Sequence, residues 1–153
     1  IGNSYALPNP NIPLFPILSK LVEKTGFRLR NYGYKAGGVS LTLSFKNRQF
    51  WRKSMSLGKF IFDSRDILKY VWRLFSICPI KDNLIREIGV SVFNLSKENA
   101  LQLEIFSDIE KKSKLIKSID MINLRFGDFT LIHANMADTK EYVHDRIGFG
   151  SVN

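Results

Sequence analysis

A chain of 153 residues, 44% hydrophobic and 24% charged, is sized for one domain or one domain with an appendage. It contains no run of about 20 apolar residues, which excludes a membrane-crossing helix, and its single cysteine, Cys78, excludes an internal disulfide and cysteine-based metal cages. The net charge of +9 is concentrated: residues 20–60 hold Lys20, Lys24, Arg28, Arg30, Lys35, Lys46, Arg48, Arg52, Lys53 and Lys59 against Glu23 alone, while the other 112 residues balance thirteen bases with thirteen acids.

In chain order, "IGNSYAL" reads as an extended segment and "NPNIPLFP" as a connector, with Pro16 suited to a first helical turn. Ile17, Leu18, Leu21, Val22 and Leu29 share one helical face, and the three glycines of "NYGYKAGG" are expected to end that helix. "VSLTLSFK" alternates strictly, with Val39, Leu41, Leu43 and Phe45 on one side and Ser40, Thr42, Ser44 and Lys46 on the other. "KNRQF" has the length of a hairpin loop. "WRKSMSLGKF" alternates again, Met55 and Leu57 inward, Arg52, Ser54 and Ser56 outward.

"DSRD" opens a second helix, with Asp63 as N-cap and Asp66 at the favourable end of the dipole. Ile67, Leu68, Val71, Trp72, Leu74 and Phe75 form its expected buried stripe, with Cys78 as a small core residue and Pro79 beyond the end. "LIREIGVSVFNL" is a further strand with Val90 and Val92 inward. The polar run "SKENALQLEIFSDIEKKSK" reads as a linker or loop carrying one apolar peptide. Leu115, Ile119, Ile122 and Phe126 mark a third helix ended by Gly127, "FTLIHANM" suits a short strand, and the tail has no periodicity.

These elements predict an α+β layer: a four-stranded, mainly antiparallel sheet with two helices on one face, plus a C-terminal helix and strand extension. The uncovered face would then present small hydroxyls edged by Lys and Arg, which suits phosphate contacts, and the clustered charge favours nucleic acid over a membrane surface. Catalytic candidates are thin. Glu141 and His144 stand at i, i+3 beside Asp145, with only His133 left to complete a metal site, so a solvated tail is the expectation. Asp63 and Asp66 are accounted for by capping, Cys78 has no activating neighbour, and "GFG" at 148–150 lacks the strand and helix of a phosphate loop. No catalytic residue, metal ligand or cofactor is expected within these residues.

The pieces resemble one family. "IREIGVSVFNLS" (Arg86, Ile88, Gly89, Val90, Ser91, Leu95) resembles the last strand of the little-finger domain of Y-family translesion DNA polymerases, the UmuC/DinB (ImpB/MucB/SamB) type. "GGVSLTLSF" with "WRKSMSL" resembles its two central strands, and "IGNSYALP" the segment entering it from the thumb. "SIDMINLRFGDFTLIHANM" resembles the tail of UmuC-like members, and "HDRIGFG" the closing motif of many such proteins from Gram-positive bacteria.

The resemblance implies a little-finger domain over residues 1–96 and an extension over 97–153, from a cytoplasmic, error-prone polymerase of the DNA-damage (SOS) response. Its palm, fingers and thumb, with catalytic carboxylates and two metal ions, expected to be magnesium, would lie outside these residues. The sheet would lie across the major groove of primer–template duplex DNA. Together, face and family give the predicted contact set Lys35, Ser40, Thr42, Ser44, Lys46, Arg48, Arg52, Lys53, Ser54, Ser56 and Arg86. "QLEIF" (Gln102, Leu103, Ile105, Phe106) resembles the family's sliding-clamp-binding peptide, with Glu104 for a smaller residue and Ile105 for Leu. The competing reading is a stand-alone basic α+β module that binds RNA. An absence of exposed aromatics on the sheet is the expected argument against it.

Overall fold

The computed structural model describes residues 1–8, 12–79, 84–97 and 107–132. Its elements are β1 (Gly2–Ala6), α1 (Leu14–Asn31), β2 (Tyr34–Phe45), β3 (Phe50–Ile61), α2 (Ser64–Ser76), β4 (Ile85–Lys97) and α3 (Ser107–Phe126). The strands form one sheet in the order β1-β4-β2-β3, every neighbouring pair antiparallel. This is the expected α+β arrangement of four strands, with a helical layer on one face.

Alternation decides which face is covered. Val39, Leu41, Leu43 and Phe45 of β2 are buried, as are Ile88, Val90 and Val92 of β4. They meet Ile17, Leu18, Leu21, Val22 and Leu29 of α1 and Ile67, Val71 and Leu74 of α2. Full burial of such side chains stabilises by roughly 1.5–3 kcal/mol each, so this layer is the main source of stability. Cys78 joins the same core. Helices α1 and α2 approach closely at Gly26, where a Cβ would collide with the Ser64 hydroxyl.

Helix α1 ends on one glycine, not three: Gly33 takes φ +69°, while Gly37 and Gly38 lie inside β2, which starts at Tyr34. Helix α2 begins as expected, with the Asp63 carboxylate accepting the Arg65 amide at 2.9 Å. Its stripe is narrower than the spacing suggested, because Trp72 remains 42% exposed. The indole stacks on Phe75 (5.4 Å between centroids) and takes the Phe15 ring edge-on at 5.2 Å, an aromatic cluster at the rim of the core.

Helix α3 is turned away from its apolar stripe. Ile116 is buried and Ile119 and Ile122 half-buried, but Leu115 and Phe126 are 57% and 65% exposed. Ion pairs set the rotation instead. Arg30 of α1 grips Asp120 at 2.6 and 2.8 Å and also reaches Glu23 and Ser64, while Lys112 lies 2.8 Å from both Asp63 and Asp66. Lys112, Ile116 and Asp120, spaced by four, are therefore the face that α3 turns to α1 and α2.

Residues 128–131 form turns and bends where a strand was expected. Phe129 takes φ +64°, and Asn123 holds Leu131 by two hydrogen bonds of 2.8 and 3.1 Å. The rest of "FTLIHANM" lies outside the described residues.

Candidate nucleic-acid interface

Strand register turns the uncovered face into a grid. One row reads Phe50, Ser44, Glu87, Ala6 across β3, β2, β4 and β1. The next reads Arg52, Thr42, Gly89, Ser4, and the third Ser54, Ser40, Ser91, Gly2. A fourth holds Ser56, Gly38 and Phe93. At roughly 4.8 Å between strands, four strands span about 14 Å. The two middle rows contain one large side chain, Arg52, so a partner can come close to the sheet. A groove of about 490 Å³ opens there, walled by Phe50 and Glu87 on one side and by Arg28, whose guanidinium donates to the Gly2 carbonyl at 3.2 Å.

The predicted contact residues divide into several environments. Thr42, Ser44, Arg52, Ser54 and Ser56 lie on this face. Ser40 lies there too, but it is 1% exposed and not free: its hydroxyl accepts from Ser54 Oγ at 3.0 Å and Arg52 Nε at 3.4 Å. Its role is to hold two neighbours in place. Ser44 Oγ is buried with no hydrogen-bond partner among the described residues.

Lys46 and Arg48 stand exposed in the β2–β3 hairpin, Arg48 at φ +68°. An Asx turn shapes that loop, with Gln49 N donating to Asn47 Oδ1 at 3.0 Å. Lys35 lies over the Phe62 ring, 5.4 Å from its centroid. Arg86 is exposed in a β4 bulge, since Ser44 pairs with Glu87 and Phe45 with Ile85. Lys53 pairs with Leu41, which puts it on the helix-side face of edge strand β3, away from the hydroxyl grid.

The charge window is divided in the same way. Lys20, Lys24, Arg28 and Arg30 belong to α1; Lys20 and Lys24 sit over the Phe129 ring at 4.9 and 5.6 Å, and Arg30 is committed to carboxylates. Only part of the excess reaches the sheet's open face.

Sequence reading missed two aromatics and one acid on this face. Phe50 is 64% exposed beside Ser44, and the Phe93 ring lies on Gly38, where any Cβ would strike it. The expectation of a face without aromatics is therefore corrected. Glu87 puts a carboxylate in the same row, and it takes part in none of the ion pairs among the described residues. Alternation from Val90 and Arg52 carried the signal for all three; Arg28, brought in by tertiary packing, had none.

Gln102, Leu103, Ile105 and Phe106, and the Glu141/His144 set, lie outside the described residues. Among the described residues no group of three or more His, Cys, Asp or Glu is placed to hold a metal ion, and no helix is long and apolar enough to cross a membrane.

Residues 13–105 match the family profile described as the impB/mucB/samB family C-terminal domain. DNA polymerase IV 2 of Bacillus subtilis (strain 168) is 29% identical over 123 residues, covering 77% of this chain and 29% of that protein. DNA polymerase IV of Oceanobacillus iheyensis is 25% identical over 157 residues, covering 97% of this chain and 37% of that protein. The chain thus spans between 29% and 37% of the length of these relatives. Among solved structures it is similar to Dbh DNA polymerase in a post-insertion binary complex, at TM-score 0.49 and 15% identity over 61% of this chain and 28% of that one. DinB from Sulfolobus solfataricus gives 0.48 and 16% over 58% and 26%. With the profile covering more than half of its length, the chain belongs to the impB/mucB/samB family, carrying the C-terminal, little-finger domain of the UmuC/DinB-type Y-family DNA polymerases.

Proposed function

We propose that this domain grips duplex DNA for a translesion polymerase, laying its open sheet face against the phosphates. The observation that carries this reading is the grid: two middle rows of small polar residues, with Arg52 held by Ser40 and with Lys46 and Arg48 at the adjoining hairpin. Small side chains let a backbone come near, and the guanidinium and ammonium groups at the margin meet phosphate oxygens. Lys35, Thr42, Ser54, Ser56 and Arg86 extend the same contact set; Ser40 acts through Arg52 and Ser54, and Lys53 is left outside it. The polymerising palm with its magnesium ions, the fingers and the thumb are partners of the whole protein in this reading, which works in the cytoplasm during the DNA-damage response. Gln102, Leu103, Ile105 and Phe106 are proposed to recruit a bacterial sliding clamp.

The test is salt dependence. Duplex affinity should fall linearly with salt on logarithmic axes, and Arg52→Ala or Lys46→Ala should each lower that slope by about 0.9, the value per neutralised phosphate. Binding indifferent to salt, or unchanged slopes in both variants, refutes the assignment.

One observation favours a second reading. Exposed Phe50 and face-lying Phe93 are residues on which unstacked bases could stack, as in single-stranded RNA binding. Competition between duplex DNA and single-stranded RNA of equal length separates the two, with duplex preferred if the grip reading holds.

A further inference from the structure

The row Phe50–Ser44–Glu87 does not look like a phosphate site. A phosphate placed about 4 Å from the Glu87 carboxylate would meet a repulsion of roughly 1 kcal/mol in water and about 4 kcal/mol at a protein surface. Glu87 takes part in none of the ion pairs among the described residues, and Arg28, which lines the same groove, donates to the Gly2 carbonyl. Beside it, Ser44 carries a buried hydroxyl with no partner among the described residues, and Phe50 exposes 64% of its surface. An acceptor carboxylate and an exposed aromatic ring in one row match a different part of a nucleotide: a base edge with an amino group, and the flat or methyl-bearing surface next to it.

We infer that the hairpin end of the open face is a base-sensing subsite, in which Glu87 accepts a hydrogen bond from an exocyclic amino group, that of cytosine above all, while Phe50 packs against the neighbouring base or sugar. The inference rests on the DNA-grip reading and deepens it. Phosphates are held along the Arg52 side of the grid, and Glu87 turns the backbone away from its own row, so that a base edge faces the carboxylate. Carboxylates accept from cytosine N4 in the major groove, whereas a thymine there offers only an acceptor and a methyl. The domain would then bind DNA mainly through phosphates but with a local preference that phosphate contacts cannot supply.

The experiment uses the 153-residue chain and fluorescence anisotropy over a salt series, with duplexes differing at each position between cytosine and thymine. Wild type is expected to prefer one cytosine register by about fivefold or more, the lower end for a single good base contact. Glu87→Ala should erase that preference, because the acceptor is gone, and raise overall affinity, because a repulsive charge is gone. Phe50→Ala should weaken binding by about tenfold, the order lost with one aromatic–base contact, without changing the salt slope. At 64% exposed, Phe50 can be truncated without unfolding the domain, and a melting curve checks this. A wild type with no register preference, or variants binding like wild type while Arg52→Ala still lowers the slope, overturns the subsite and leaves the grip standing. Absence of any salt-dependent duplex binding overturns the grip itself.

Discussion

Arg30 and Asp120 face each other fork to fork, Nε donating to Oδ2 at 2.6 Å and Nη2 to Oδ1 at 2.8 Å, with side chains only 10% and 15% exposed. This pair joins α1 to α3 across ninety residues of sequence. Removing one partner strands the other in a largely buried place. Asp120→Ala should therefore destabilise the domain by about 3 kcal/mol, the lower end for a broken buried pair. Chemical denaturation checks it, and the double variant Arg30→Met/Asp120→Leu should recover part of the loss. A change below the noise would mean that α3 docks through Ile116 alone.

The sheet face offers a second comparison. Leu41→Ala and Leu43→Ala remove fully buried leucines and should each cost roughly 2–5 kcal/mol. Ser54→Ala, exposed, should stay within about 0.5 kcal/mol. Ser40→Ala should fall between them at about 1 kcal/mol, since it removes the acceptor of two side-chain hydrogen bonds. It should also weaken duplex binding through a freed Arg52. Equal losses for Ser54 and Leu41 would mean that the register is shifted by one.

Acid should loosen α3. Burial pushes the Asp63 carboxyl up, but hydrogen bonds from Arg65 and Lys112 outweigh it and hold the group below its ordinary value of 3.8. A depressed folded value means that Asp63 contributes its full stability above about pH 4, the unfolded carboxylate range, and loses it as pH falls through the lower folded value. Wild type minus Asp63→Asn should show a stability difference that is constant near neutrality and shrinks below about pH 4. A difference that persists undiminished at pH 2 would contradict the ion-pair account.

Ser19 tests the opposite case. It is 2% exposed on α1, and its hydroxyl has no partner among the described residues. Ser19→Ala removes an unsatisfied polar atom and improves helix propensity, so stability should rise by about 1 kcal/mol. A loss of stability would reveal a bond that the serine makes.

What the sequence disclosed follows from how far each interaction reaches. Strict alternation in β2 located Leu41 and Leu43 because a period of two is local, and it would have placed Phe50, Glu87 and Phe93 had it been carried through. Asp63 announced α2 because a cap is local too. Leu115 and Phe126 misled because an apolar stripe says nothing about which partner wins, and Asp120 and Lys112 turned α3 the other way. The placement of Arg28 and Arg30 could not be read at all, since their partners, Gly2 and Asp120, lie 26 and 90 residues away.

The strand order has a consequence for synthesis. β1 borders only β4, and the contact is already made at the first residue, where Val92 N donates to the Ile1 carbonyl at 2.7 Å. A ribosome releases β1 long before its neighbour, and at about 5–20 residues per second the wait is roughly 4–20 s. During that interval the β2–β3 hairpin can form, but the sheet cannot close, because β4 must enter between β1 and β2 last. Closure over so long a loop is slow, and both edges that it will cover stay exposed meanwhile. The nascent chain is thus most open to misassociation until β4 has left the exit tunnel, and the half of the grid laid down by the β2–β3 hairpin is completed only with that final strand.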